Sequence, residues 1–176
     1  MSKILFCLAL CLFLFTPSAL TAKEAKSRYV TLSYSSQKLL TDFNEAIELG
    51  RKLNQYVRKT NIITAEDEVL AKIDTIIEKA ETILEMFPDR LLIKIVLLGE
   101  SADVARVFKE KYGKNVNYLA FYSLSEDTIY ISVDDAKLVV LAHEIGHAIV
   151  DHYFKVRPPY NVHELMAQFV EKHISE

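Results

Sequence analysis

Residues 128–149 read Thr-Ile-Tyr-Ile-Ser-Val-Asp-Asp-Ala-Lys-Leu-Val-Val-Leu-Ala-His-Glu-Ile-Gly-His-Ala-Ile. The hydrophobic period changes inside this stretch. Thr128 to Val133 alternates and is rich in β-branched residues, which predicts a strand. Asp134 or Asp135 can cap a following helix that runs to about Phe154, where Pro158-Pro159 forces a break. That helix carries His143-Glu144-Ile145-Gly146-His147, an H-E-x-x-H pattern. Residues four apart lie one above the other on a helix, so both imidazoles can aim at one zinc ion, at about 2.0–2.1 Å each. Glu144 is one step round the helix. It can reach a water on the metal without ligating the metal itself, and take a proton from that water during attack on a carbonyl. Ala142, Ile145, Gly146, Ala148 and Ile149 are uncharged, so the motif sits on a buried helix. Gly146 costs about 1 kcal/mol against Ala in mid-helix, which makes sense if another segment approaches closely there.

A catalytic zinc usually has three protein ligands. His152, five residues past His147, is rotated by about 140° and should point elsewhere. A third histidine of the astacin type would require Gly at Val150 and His at Tyr153. The remaining candidates stand on the last helix, from Asn161 as its cap to about Ile174: His163, Glu164, Glu171 and His173. Glu164 falls in the first turn, and Ala167 on the same face would let the two helices pack closely. Glu164 can equally close a capping box with Asn161. His163 reads as a group at the helix start, or one that supports a ligand from behind. His173 suits the negative end of the helix dipole.

Upstream of the strand at Thr128, the order is helices and then a small sheet. Apolar positions from Leu39 to Val57 and from Val69 to Phe87 repeat at steps of three and four. The break lies at Thr60-Asn61, and Thr64-Ala65-Glu66-Asp67 forms a capping start. This predicts two long amphipathic helices in an antiparallel hairpin. Leu91 to Leu98 predicts a strand. A helix follows from Ser101 to about Tyr112, closed by Gly113, and Val116 to Tyr122 predicts another strand. Lys23 to Gln37 reads as a flexible tail.

The 176-residue chain has 51% hydrophobic and 26% charged residues, with a net charge of −3. That balance excludes a disordered or low-complexity chain, and nothing basic favours nucleic acid as a partner. Met1-Ser2-Lys3 precedes an unbroken apolar run, Ile4 to Phe15, that is shorter than the about 20 residues a spanning helix needs. Thr16-Pro17-Ser18 breaks the run, and small residues lead to Ala22. Residues 1–22 are therefore expected to be a signal peptide of an exported protein, periplasmic or secreted, with no stable membrane anchor after its removal. Both cysteines, Cys7 and Cys11, would leave with it, so no disulfide is expected in the mature chain. The expected organisation is a signal peptide at 1–22, an N-terminal helical region at 23–90 packed on the core, and a catalytic core at 91–176.

From about Val116 to Ile174 the chain resembles the gluzincin metallopeptidases, whose pattern is H-E-x-x-H on one helix and a Glu ligand on the next. The resemblance implies an α+β, zincin-like core: a small mixed sheet of about three strands, an active-site helix and a glutamate helix, preceded here by the helical hairpin. It implies one zinc ion held by His143, His147 and Glu164, with Glu144 as general base in peptide-bond hydrolysis. It also implies that Tyr118 to Tyr122 forms an edge strand to which an extended peptide or protein substrate adds by main-chain hydrogen bonds. Large gluzincins supply an oxyanion-stabilising His or Tyr from a later domain. Only twelve residues follow Glu164 here, so a local donor is expected, from Tyr153, Tyr160 and His163, with Tyr160 or His163 favoured. The competing reading is a non-catalytic exported protein of zincin-like fold that binds a protein partner. Retention of Glu144 favours hydrolysis.

Overall fold

The structure is a computed structural model that describes residues 22–57 and 62–176. The expected signal segment up to residue 21, with Cys7 and Cys11, and the expected break at Thr60-Asn61 lie outside the described residues. Among the described residues the chain is α+β, with six α-helices and one mixed sheet. No described helix is long and apolar enough to cross a membrane.

The sheet has five strands, not three. It contains β1 (Lys23–Lys26), β2 (Val30–Tyr34), β3 (Ile93–Leu98), β4 (Ala120–Ser123) and β5 (Thr128–Ser132), in the order β1-β2-β3-β5-β4. β2, β3 and β5 run parallel, while β1 and β4 close the two edges antiparallel. The segment expected as a flexible tail thus supplies two strands. Its Val30-Thr31-Leu32-Ser33-Tyr34 alternates, and Val30 and Leu32 lie opposite Ile93 and Ile95 in the register. Burying such side chains is worth about 1.5–3 kcal/mol each, enough to hold a short polar strand such as Lys23-Glu24-Ala25-Lys26 at the rim.

The first helical segment is broken rather than continuous. α1 (Gln37–Ala46) starts at Ser36, whose hydroxyl accepts the Leu39 N–H, and α2 (Gly50–Asn54) resumes after Ile47-Glu48-Leu49. Gly50 has φ +71°, a conformation that interrupts a helix and that glycine adopts without strain. α3 (Ala65–Leu84) begins with the expected capping box: the Thr64 hydroxyl accepts the Asp67 N–H, and the Asp67 carboxylate accepts the Thr64 N–H. α4 (Ser101–Tyr112) ends at Gly113 as expected, with φ +68°.

α5 (Leu138–Tyr153) starts later than Asp134 or Asp135, with Lys137 at its cap. The aspartates instead form a turn, in which Asp135 accepts the Ser132 hydroxyl. α6 (Tyr160–His173) starts at Pro159 rather than Asn161. The Pro159 carbonyl accepts the first amides, from Val162 and His163, so Glu164 has no capping box to close.

Side chains alternate across the sheet and make two unequal cores. Leu32, Ile95 and Ile129 share one face. They pack in a single aliphatic core with Phe43 of α1, Ile73, Ile76 and Ile77 of α3, and Leu141, Ile145 and Ile149 of α5. The opposite face carries Phe121 and Tyr130, stacked at 5.0 Å, against Phe108 of α4. α5 lies between the sheet, α3 and α6, and most of its length is buried.

Candidate metal centre

The close approach that Gly146 suggests is present. A Cβ at Gly146 would lie 3.0 Å from the Ala167 Cα and 3.3 Å from Val170 Cγ2. Glycine on α5 and alanine on α6 therefore let the two helices nearly touch. One turn before Ala167, this brings the Glu164 carboxylate over the two histidines.

His143 Nε2 and His147 Nε2 are 3.1 Å apart. Glu164 straddles them, with Oε1 3.5 Å from His143 Nε2 and Oε2 3.5 Å from His147 Nε2. One ligand atom from each of the three residues fits within 4.8 Å of the others, and among the described residues this is the group of side chains that could hold a metal ion. Ligands about 2.0–2.1 Å from a tetrahedral zinc stand about 3.3–3.4 Å from one another. The observed separations bracket that value.

The chemistry of the donor set agrees. His143 Nδ1 is 2.9 Å from Glu171 Oε2, so that nitrogen carries the proton and donates it. The His143 Nε2 lone pair then faces the His147 ring and a carboxylate, a crowding of acceptors that only a proton or a cation relieves. A carboxylate behind a ligand histidine also fixes its tautomer and raises its basicity. Burial, with the charges of His143 and His163 as lesser causes, pushes the His147 imidazole down to about 3. The shift favours the neutral ring, the form in which an imidazole can hold a metal.

Glu144 is buried and lies beside the cleft, where its Oε2 accepts the Tyr122 N–H at 2.8 Å. Burial pushes its carboxyl up to about 7, against the opposing pull of His143 and of that N–H. The bond follows from strand pairing. Ser132 N–H donates to the Leu119 carbonyl across β4 and β5, so the backbone groups of Ala120 and Tyr122 face the open edge. The Tyr122 hydroxyl donates to Asp127 at 2.9 Å and lies 3.3 Å from Asp151 of α5, which brings this edge against α5.

The cleft encloses about 360 Å³ and is walled by Phe108, Tyr118, Phe121 and Tyr122 on the strand side. Tyr160, His163 and Arg157 line it from the other side, whereas Tyr153 stands outside it. Tyr160 is exposed, and the Glu164 charge beside it pushes its hydroxyl up. His163 is buried and turned toward His147, its Nδ1 2.7 Å from His147 Nδ1, with the two rings 19° from coplanar and their centroids 4.9 Å apart. His152 points away as expected and lies 3.3 Å from Asp127.

Sequence reasoning treated Glu171 only as a spare ligand and missed its place behind His143. The signal was its spacing, since Glu164 and Glu171 are seven residues apart and so share one face of α6. It also missed Arg157 in the cleft and the Tyr122 amide on Glu144, which depend on how distant segments meet. A larger, more open depression of about 500 Å³ lies among Asn44, Glu48, Arg51 and Lys72 and shares no residue with the His143, His147 and Glu164 cluster. No protein-family model, no curated protein and no solved structure matches the chain.

Proposed function

We propose that this protein is a zinc-dependent metallopeptidase with a zincin-like core of gluzincin type. The observation that carries the reading is the arrangement of His143, His147 and Glu164, whose donor atoms are spaced for one tetrahedral ion on two helices held together at Gly146 and Ala167. A zinc ion held there would supply Lewis acidity, polarising a substrate carbonyl and lowering the pKa of water.

The chain's own groups perform the remaining work. Glu144 takes the proton of the attacking water and returns it to the leaving amine. Its carboxyl stands poised near neutrality, which suits both transfers. An extended peptide or protein substrate adds to the open edge of β4, at the free backbone groups of Ala120 and the Tyr122 carbonyl. This places its scissile carbonyl between Glu144 and the metal ligands. Of the two expected oxyanion donors, Tyr160 takes the role, because it lines the exposed side of the cleft beside Glu164 while His163 is turned to His147. Export rests on the sequence of residues 1–22 and belongs to the same proposal.

The test is hydrolysis of a broad peptide library by pure, zinc-loaded protein and by Glu144→Gln. The expected result is cleavage by the parent, and loss of at least about 10²-fold in rate in the variant with zinc retained. A zinc-loaded parent that cleaves nothing would sink the reading. One observation favours the second reading, a non-catalytic zincin-like protein that binds a partner: Glu144 is already engaged by the Tyr122 N–H. That reading expects Glu144→Gln to leave every measurable property intact.

A further inference from the structure

We infer that His163 is the positioning residue of the metal centre, acting as the acceptor that holds His147 in its ligating tautomer and ring orientation. The inference rests on the proposed reading of the site as a metal centre, and it concerns a residue that contributes no atom to the ligand triangle.

The argument is proton accounting. His147 presents Nε2 to His143 and Glu164, so Nε2 is the nitrogen that must be bare to bind a metal. A neutral imidazole carries one proton, which then resides on Nδ1. His147 Nδ1 lies 2.7 Å from His163 Nδ1, a separation that requires one donor and one acceptor. His147 is the donor, so His163 Nδ1 is bare and its own proton sits on Nε2. The Nδ1 contact is also the ring's one hydrogen bond found among the described residues. His163 Nε2 is fully buried and has no hydrogen-bond partner among the described residues. His163 itself is 1% exposed. A buried imidazole with one unpartnered nitrogen costs stability, and a ring serving only to fill space would be better replaced by an apolar one. What the residue contributes in return is the acceptor at Nδ1.

The two ligand histidines are thus held by different chemistry. His143 is backed by the charged, half-exposed carboxylate of Glu171, and His147 by a buried neutral ring. The ring cannot be exchanged for any group of similar volume. Asn places its side-chain oxygen close to where His163 Nδ1 stands and can accept the same N–H. Phe keeps a buried ring beside His147 but accepts nothing.

The experiment is a zinc competition titration on the purified full chain and on His163→Asn and His163→Phe, alongside thermal unfolding of the three metal-free proteins. The expected result is one zinc per chain in the parent, affinity within a few-fold of it for Asn, and a loss of about 10–100-fold for Phe. Phe should nonetheless unfold at a temperature equal to or above that of Asn, so affinity and stability rank the variants in opposite orders. Equal affinities for Asn and Phe, or affinities that follow thermal stability, would overturn the inference while leaving the metal centre standing. If Phe does not fold, His163→Ala takes its place against Asn with the same expected order. A parent that binds no zinc would overturn the metal centre and this inference with it.

Discussion

The two helices that build the site are fixed in different ways. α5 is buried along most of its length between the sheet, α3 and α6, so His143 and His147 stand on a backbone that many contacts determine. α6 buries only His163, Ala167 and Val170 of its fourteen residues, and it exposes Leu165 and Phe169. Its depth is set by one narrow approach, Ala167 and Val170 against Gly146. The lesson is that the pair of imidazoles is a property of the core, while the place of Glu164, the proposed third ligand, is conditional on a helix–helix distance. A perturbation at that contact should separate Glu164 from the histidines without disturbing the histidines themselves.

Gly146→Ala tests this most severely. The added methyl meets backbone at 3.0 Å, where nothing flexible can yield, so α6 must move outward. Overpacking of this kind costs about 1–3 kcal/mol, offset in part by the about 1 kcal/mol that Ala gains over Gly in a helix. The expected outcome is a lower unfolding temperature together with weakened zinc binding. An unchanged zinc affinity would break the claim that this contact positions Glu164.

Glu171→Gln sharpens the comparison from the α6 side. It keeps an acceptor for His143 Nδ1 but removes the negative charge behind the ring. Zinc affinity should fall by up to about tenfold, the low end for an outer partner, with thermal stability of the metal-free protein nearly unchanged. A loss as large as that from removing a ligand would mean Glu171 itself binds the ion.

Glu81→Gln is the control far from the site, and the smallest effect. Glu81 is a buried carboxylate on α3 whose carboxyl is pushed up, chiefly by burial and against the pull of Arg28. A folded-state value above the unfolded one means the folded chain prefers the protonated form. Its contribution to stability is full below the unfolded value and is lost as pH rises through the folded one. The variant should therefore unfold at a slightly higher temperature than the parent at pH 7, with the gap closing toward pH 4 and zinc affinity unchanged. A zinc affinity that follows this change would show that the α3 core and the metal centre are coupled.

The same contrast explains what could be read before the fold was known. The α5 motif is local: a spacing of four residues on one helix sets two imidazoles on one face, and the period change at Val133 marks strand from helix. Gly146 and Ala167 were legible because a small residue in mid-helix has a recognisable cost, and its reason is contact. Thr64 with Asp67, and Gly113, were legible as helix punctuation for similar reasons. β1 was not, because Lys23-Glu24-Ala25-Lys26 is a polar rim strand whose pairing comes from β2 rather than from any pattern of its own. The break at Gly50 was hidden because the apolar repeat continues through it. A supporting role for His163 was legible but not its partner: His163 and Glu171 stand 16 and 28 residues from the histidines they meet, so those contacts exist only once α5 and α6 cross.

The central claim is a three-residue metal centre, and zinc binding by the purified protein tests it most directly. Native mass spectrometry gives the count and chelator competition the affinity, for the parent, Glu164→Ala and Glu164→Gln. The account predicts one zinc per parent chain, weakened in both variants by at least the roughly 10–100-fold that loss of an outer partner costs. A parent that takes up no zinc after refilling, or variants that hold it as tightly as the parent, would contradict it.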